Sequence, residues 1–216
     1  MCDVFCDLLT THRLMRSQSH LWSAWNREES QQVGLQFITP TKFKRNVKSS
    51  EGKSIPMVAV IRKLSVEYVD ALIEVARESW KWTYAGIYSD EYIERWIREK
   101  YSREKLLNEI MRSRSESDLL FLGAFVDLKL SGFIEVKIME DNAELLRLYL
   151  KPEYTHMKIG GDLLSETEKV MKQRGVSECT LYVHTQNQVG ISFYLKNGFT
   201  VKGINGNDFL MVKKYE

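Results

Sequence analysis

Cysteine is scarce. Cys2, Cys6 and Cys179 are the only three in 216 residues, an odd set with no Cys-x-x-Cys pair and no Cys/His spacing of a zinc site. A disulfide framework and a metal centre are therefore not expected, and a reducing, cytoplasmic setting is. Long apolar runs are missing too: no stretch approaches the ~18 to 20 residues that cross a bilayer. The opening Met1 to Asp7 lacks the basic flank and apolar core of a secretory signal. Neither sign of charge is in marked excess, since 31 Lys and Arg against 29 Asp and Glu leave +2, so the composition points to no nucleic-acid partner. No internal repeat or low-complexity tract is visible. What remains, with 44% hydrophobic and 28% charged residues, fits one globular domain, with or without an appendage.

Residues 1–56 carry 8 Lys/Arg against 5 Asp/Glu, leaving 23 against 24 for residues 57–216, so the positive excess is amino-terminal. This segment shows no sustained period, scatters Trp22 and Trp25 among polar residues, and ends in Lys48 to Ser54, which reads as a solvated linker. It is expected to be an extension outside the main domain: a tail, a short helix around Leu21 to Trp25, or a basic arm. Translation starting at Met57 is a further alternative, since Val58 to Leu64 is a natural opening strand.

From Ser65, placed to cap a first turn, Val69, Leu72, Ile73, Ala76 and Trp80 form one helical stripe. Ser89 and Ser102 precede two further short helices. Leu119 to Val126, Ser131 to Met139 and Ala143 to Leu150 are three β-type runs, separated by Asp127 to Lys129 and Glu140 to Asn142, and suit an antiparallel meander. Pro152 stops the last of them. Gly160 and Gly161 then lead into a helix with Leu163, Leu164, Thr167, Val170 and Met171 on one side and Gly175 as its end. A strand from Thr180 to His184, a short helix through Tyr194, a strand from Phe199 to Lys202, an Asn205-Gly206 turn and a strand from Phe209 to Lys213 complete the order.

A strand that turns through a loop straight into a helix can hold a phosphate on the free N–H groups of the helix start. A glycine pair ahead of a helix is also, on its own, simply a loop. The window Thr155, His156, Met157, Lys158, Ile159, Gly160, followed by Leu163-Leu164, resembles the acyl-CoA-binding motif of the GNAT superfamily of N-acetyltransferases, Arg/Gln-x-x-Gly-x-Gly/Ala. Thr155 stands for the usual Arg or Gln, and Lys158 for the first Gly. A second signature resembles the closing half of the same family, with Asn187, Phe193, Tyr194, Gly198 and Phe199 at the family's spacing. The run Ala76 to Tyr88 is similar to the archaeal PaiA-type polyamine acetyltransferases in particular.

The resemblance covers residues 57–216 and implies an α/β chain of the GNAT fold: a mixed, mostly antiparallel sheet splayed at its centre and covered by helices. It implies acetyl-CoA as co-substrate and a small-molecule amine or polyamine as acceptor, with spermidine as the leading example. A protein amino terminus or lysine is the alternative acceptor, and a catalytically weak CoA-binding regulator is the alternative outside enzymes. Monomer and homodimer stay open. It further implies backbone pairing of Leu148, Tyr149 and Leu150 with the pantetheine arm, pyrophosphate contacts from Thr155 to Gly161, and cofactor contacts from Asn187, Phe193 and Lys196.

The chemistry sets its own demands. An alkyl ammonium with a pKa of about 10.4 must lose a proton before it attacks, which suits a carboxylate acting directly or through water. The departing thiol needs a proton donor, and a tyrosine keeps its proton near neutrality. Tyr194 matches the family's general acid, although a Tyr beside a Phe on a short helix is otherwise ordinary packing. Glu135, on a central strand, and Glu144 are the candidate bases, each with a solvated-face alternative; Glu135 ranks first. His156 and His184 read as loop and strand-end residues rather than bases. Trp82 and Tyr84, past the apolar stripe, are the candidate acceptor wall through cation–π contact, or else a core edge. Asp90 and Glu91 either attract a cation or favour a helix start.

Overall fold

A computed structural model describes residues 38–48 and 54–215. The expected helix around Leu21 to Trp25 and most of the Lys48 to Ser54 linker fall outside these residues. One mixed sheet of eight strands organises them: β1 (Thr41–Lys48), β2 (Ser54–Lys63), β3 (Leu119–Val126), β4 (Lys129–Met139), β5 (Asn142–Leu150), β6 (Glu178–His184), β7 (Thr200–Asn205) and β8 (Asp208–Lys214). Five helices accompany it: α1 (Val69–Thr83), α2 (Asp90–Lys100), α3 (Arg103–Ser115), α4 (Ile159–Gln173) and α5 (Gln188–Lys196). The strand order is β1-β2-β3-β4-β5-β6-β8-β7, and every neighbouring pair is antiparallel except β5 with β6.

The strand period sorts side chains onto two faces. Leu120, Leu122, Ile134, Val136 and Leu145 pack with Ile159, Leu163, Leu164 and Met171 of α4. Phe121, Phe125 and Phe133 pack on the opposite face with Leu72, Ala76 and Trp80 of α1, Ile93 and Ile97 of α2, and Leu106 and Ile110 of α3. Cys179 is fully buried at the start of β6, and burial pushes its thiol up to about 12, so it carries no reactive thiolate.

The meander forms as expected. Asp127 and Leu128 (φ 48° and 64°) make a two-residue turn with both centres left-handed, whose twist matches the flanking strands. The Ser89 hydroxyl accepts from Tyr92 N at 3.2 Å, and that of Ser102 from Lys105 N at 3.4 Å. Ser65 departs from expectation. A 3-10 turn, Val66–Tyr68, intervenes before α1, and the Ser65 hydroxyl makes no cap bond.

The second difference is β1. Thr41–Lys48, within the segment expected to lie outside the domain, pairs along its whole length with β2, from Thr41↔Ile61 to Lys48↔Ser54. Phe43, Arg45 and Val47 alternate inward while Lys42, Lys44 and Asn46 alternate outward. The lysines on an edge strand also discourage pairing with another chain.

Candidate active site

The site begins where the sheet parts. Parallel pairing of β5 with β6 runs from Asn142↔Glu178 to Leu145↔Leu181 and stops there. Beyond it, Leu148, Tyr149 and Leu150 remain paired only with β4, opposite Ile134, Phe133 and Gly132. The cause is local: Glu135 faces Arg147 and Val136 faces Leu145, so Leu146 is an extra residue in β5. Such a bulge bends its strand and strengthens the twist, here steering β5 away from β6. The backbone groups of Leu148–Leu150 on the β6 side are thereby left without a strand partner, and an extended ligand can take that place.

That open edge feeds directly into a helix start. A 3-10 turn, Pro152–Tyr154, is followed by His156 and Lys158, both at φ 61°, and α4 opens at Ile159. The first intrahelical donor is Asp162 N, bonded to Lys158 O at 3.0 Å, so the N–H groups of Ile159, Gly160 and Gly161 precede the helical ladder. Space over Gly161 is open, with nothing within 4 Å of where a side chain would begin. At Gly160 a Cβ would lie 3.3 Å from both Leu150 and Phe193, so strand end, loop and α5 converge on that point. Thr155 is occupied locally: its hydroxyl and its N–H both donate to Pro152 O, at 2.7 and 3.1 Å. Neither donor is free for a phosphate. His156 and Lys158 are exposed and Met157 is half-buried.

The other wall comes from α5. Asn187 caps it, its Oδ1 accepting from Gly190 N at 2.8 Å. Phe193 and Phe199 hold the Tyr194 ring edge-on at 5.3 and 5.6 Å, and Tyr194 is 9% exposed. Burial, reinforced by the neighbouring Tyr149, Tyr84 and Cys179, pushes its hydroxyl well above the usual tyrosine range, so it stays protonated. Lys196 sits in the last turn of α5 and is exposed.

An aromatic chain lines the approach. Trp80 meets Tyr84 at 4.4 Å and Trp96 at 5.4 Å; Tyr84 meets Tyr88 at 5.6 Å; Tyr88 stacks on Tyr92 at 4.6 Å. His184, at the end of β6, lies edge-on to Tyr84 and Tyr88 at 6.2 and 5.7 Å. Burial raises the Tyr84 hydroxyl, with Tyr149 adding to the shift and a hydrogen bond from Asn187 opposing it, so this chain abuts the α5 wall. Trp82 is 42% exposed and forms none of the ring pairings found among the described residues. Tyr88 extends the aromatic wall beyond Tyr84, as its place in the sequence suggests, while Tyr92 and Trp96, read from the sequence only as apolar positions of a helix, join the same wall.

Glu135 lies behind this wall. It is 1% exposed, with Oε2 2.6 Å from Arg147 Nη1, but off the line of any N–H bond, so that oxygen lacks an aligned donor. Arg147 bridges at 2.6 Å to Glu109 of α3. Burial pushes the Glu135 carboxyl up to about 7; Arg147 opposes the shift and Glu109 adds to it. Beside this group the Tyr101 hydroxyl donates to Tyr149 at 3.1 Å, and Tyr149 is one of the groups that raise the Tyr194 hydroxyl. Glu144 pairs in β4–β5 opposite Lys137, at the closed end of the sheet.

An open strand edge, a glycine-led helix start and a protonated tyrosine across the splay are the architecture of an acyl-CoA transferase fold. The acetyltransferase (GNAT) family model matches residues 69–199, and the chain belongs to that family. It is 71% identical over 156 residues to a spermidine N(1)-acetyltransferase from Thermoplasma acidophilum, an alignment covering 72% of this chain and 97% of the relative. A crystal structure of PaiA N-acetyltransferase from Thermoplasma acidophilum in complex with coenzyme A is similar at a TM-score of 0.72 and 70% identity, covering 73% of this chain and 99% of that one. The ribosomal-protein-S18-alanine N-acetyltransferase from Escherichia coli shares the fold at 18% identity, with a TM-score of 0.54 and coverage of 72% and 93%.

Proposed function

We propose that this chain transfers the acetyl group of acetyl-CoA to a primary amine of a polyamine such as spermidine, by direct attack of the amine on the thioester. The observation that carries this is the pairing-free edge of Leu148–Leu150 running into the unbonded N–H groups of Ile159, Gly160 and Gly161, with Tyr194 opposite. High identity to a spermidine N(1)-acetyltransferase supports the acceptor class, and the likeness to a coenzyme A complex supports the donor.

Main-chain groups of Leu148 and Leu150 pair with the amides of the pantetheine arm. The N–H groups of the α4 start take the pyrophosphate, helped by the positive end of the helix dipole. Asn187, with its Oδ1 engaged by Gly190 and its Nδ2 reaching the Tyr84 hydroxyl, has one amide hydrogen left for the pantetheine. Tyr84 and Tyr88 hold the acceptor's methylenes and an ammonium group against their rings, and Trp82 contributes only at the rim.

Glu135 receives the proton the amine must lose. At 1% exposure it does so through water, and a carboxyl titrating at about 7 is well matched to a base working near neutrality. As the carbon–sulfur bond breaks, Tyr194 donates its hydroxyl proton to the departing sulfur. Thiol release from acetyl-CoA, followed with a panel of spermidine, spermine, simple diamines and peptides, tests the assignment. Turnover with spermidine well above that with peptides is expected; release with peptides alone, or with no amine, would overturn it.

A further inference from the structure

The loop assigned to the pyrophosphate holds an unfavourable shape. His156 and Lys158 both occupy the left-handed region that side chains other than glycine avoid, and Lys158, at the helix cap, makes no side-chain cap bond. The carbonyl between them belongs to Met157. Arg45 of β1 donates to that carbonyl from Nη1 at 2.6 Å and pairs through Nη2 with the Asp162 carboxylate in the first turn of α4. Arg45 and Asp162 side chains are 19% and 15% exposed, so neither is a solvated surface charge. At the strand's start, Thr41 donates to Glu166 at 2.9 Å, a helical turn beyond Asp162 along α4. Phe43 and Val47, on the same side of β1, pack on the core that contains α4.

The charge arrangement carries a consequence. Asp162 places a carboxylate at the helix end that, on the function proposed above, must accept a pyrophosphate. Unpaired, it would repel that anion; beside a guanidinium its field is largely cancelled. We infer that Arg45 is a positioning residue for acetyl-CoA, locking the His156–Lys158 loop through the Met157 carbonyl and neutralising Asp162, so that β1 is a working part of the cofactor site. This rests on the acetyl-CoA reading of the site.

The test is steady-state kinetics of the full chain with acetyl-CoA and with S-acetylpantetheine, which lacks the pyrophosphate. Arg45→Ala is expected to raise the KM for acetyl-CoA about tenfold with kcat within about twofold, the scale of one charge at a helix end. With S-acetylpantetheine its kcat/KM should match the parent. Asp162→Asn added to Arg45→Ala should recover most of the lost affinity, and Arg45→Lys should lose less than Arg45→Ala. An unchanged KM for acetyl-CoA in Arg45→Ala, equal losses with both thioesters, or no recovery in the double variant would overturn the inference. If Arg45→Ala does not fold, the comparison of Arg45→Lys with Arg45→Lys/Asp162→Asn carries the same test. A parent protein that uses the two thioesters equally well would instead remove the pyrophosphate site itself, and this inference with it.

Discussion

Replacing Tyr194 by Phe removes a single oxygen and leaves the packing intact. The ring stays between Phe193 and Phe199 at the spacing of 5.3 and 5.6 Å, and the carbonyl of residue 194 still accepts from Phe199 N at 3.0 Å. The fold should therefore hold to within about 1 kcal/mol, and CoA affinity, set by β5 and α4, should be nearly unchanged. What disappears, on the mechanism proposed, is the proton for the leaving sulfur. General acid catalysis is worth ~10²-fold or more, so kcat should fall by about that factor at pH 7. The deficit should shrink as pH rises past about 8.5, the ordinary thiol pKa, because an increasingly stable thiolate needs no acid. Thiol release measured from pH 6.5 to 9.5, with CoA binding by calorimetry alongside, reads both quantities. A kcat within threefold of the parent at pH 7, or a deficit that grows with pH, would refute the role given to Tyr194.

Glu135→Gln should lower kcat/KM for spermidine about 100-fold. It should also abolish the rise in activity through pH 7, since a base titrating at about 7 is protonated and idle below it; a pH profile retaining that inflection would exclude Glu135. Arg147→Ala strands the carboxylates of Glu135 and Glu109 and should cost ~3 to 5 kcal/mol in urea unfolding at pH 8. The cost should be less at pH 5.5, where Glu135 takes up a proton, and a loss under 1 kcal/mol would mean that the pair contributes little. Tyr84→Leu should raise the KM for spermidine about tenfold while Trp82→Leu changes it by less than twofold. The reverse order would move the acceptor outward.

Why some of this was legible in the sequence and some not follows from range. Leu119 to Val126, an unbroken apolar run, and the α1 stripe, a helical period, declare themselves because both signals are local, and the Asn187 to Phe199 frame marks α5. The Glu135–Arg147 pair is a different matter: it depends on the register of β4 with β5 and on Leu146 being the extra residue, neither of which is written in either strand alone. Strand β1 was missed because its inward positions are Phe43, Arg45 and Val47, an alternation broken by a charge whose partner, Asp162, is distant in sequence. Ser65 looked like a cap, but the 3-10 turn Val66–Tyr68 displaces the helix start beyond its reach. Thr155 stands where the motif has a phosphate partner, but its hydroxyl is bonded within the turn to Pro152 O.

The central claim is that main chain at the β5 splay and the α4 start grips the coenzyme. Amide resonances of ¹⁵N-labelled protein titrated with CoA test it most directly. The largest shifts should fall on Leu148, Leu150, Gly160 and Gly161, with Thr155, whose N–H is already bonded, moving less. Saturating CoA that leaves those four amides in place, or shifts clustered elsewhere on the sheet, would contradict the account.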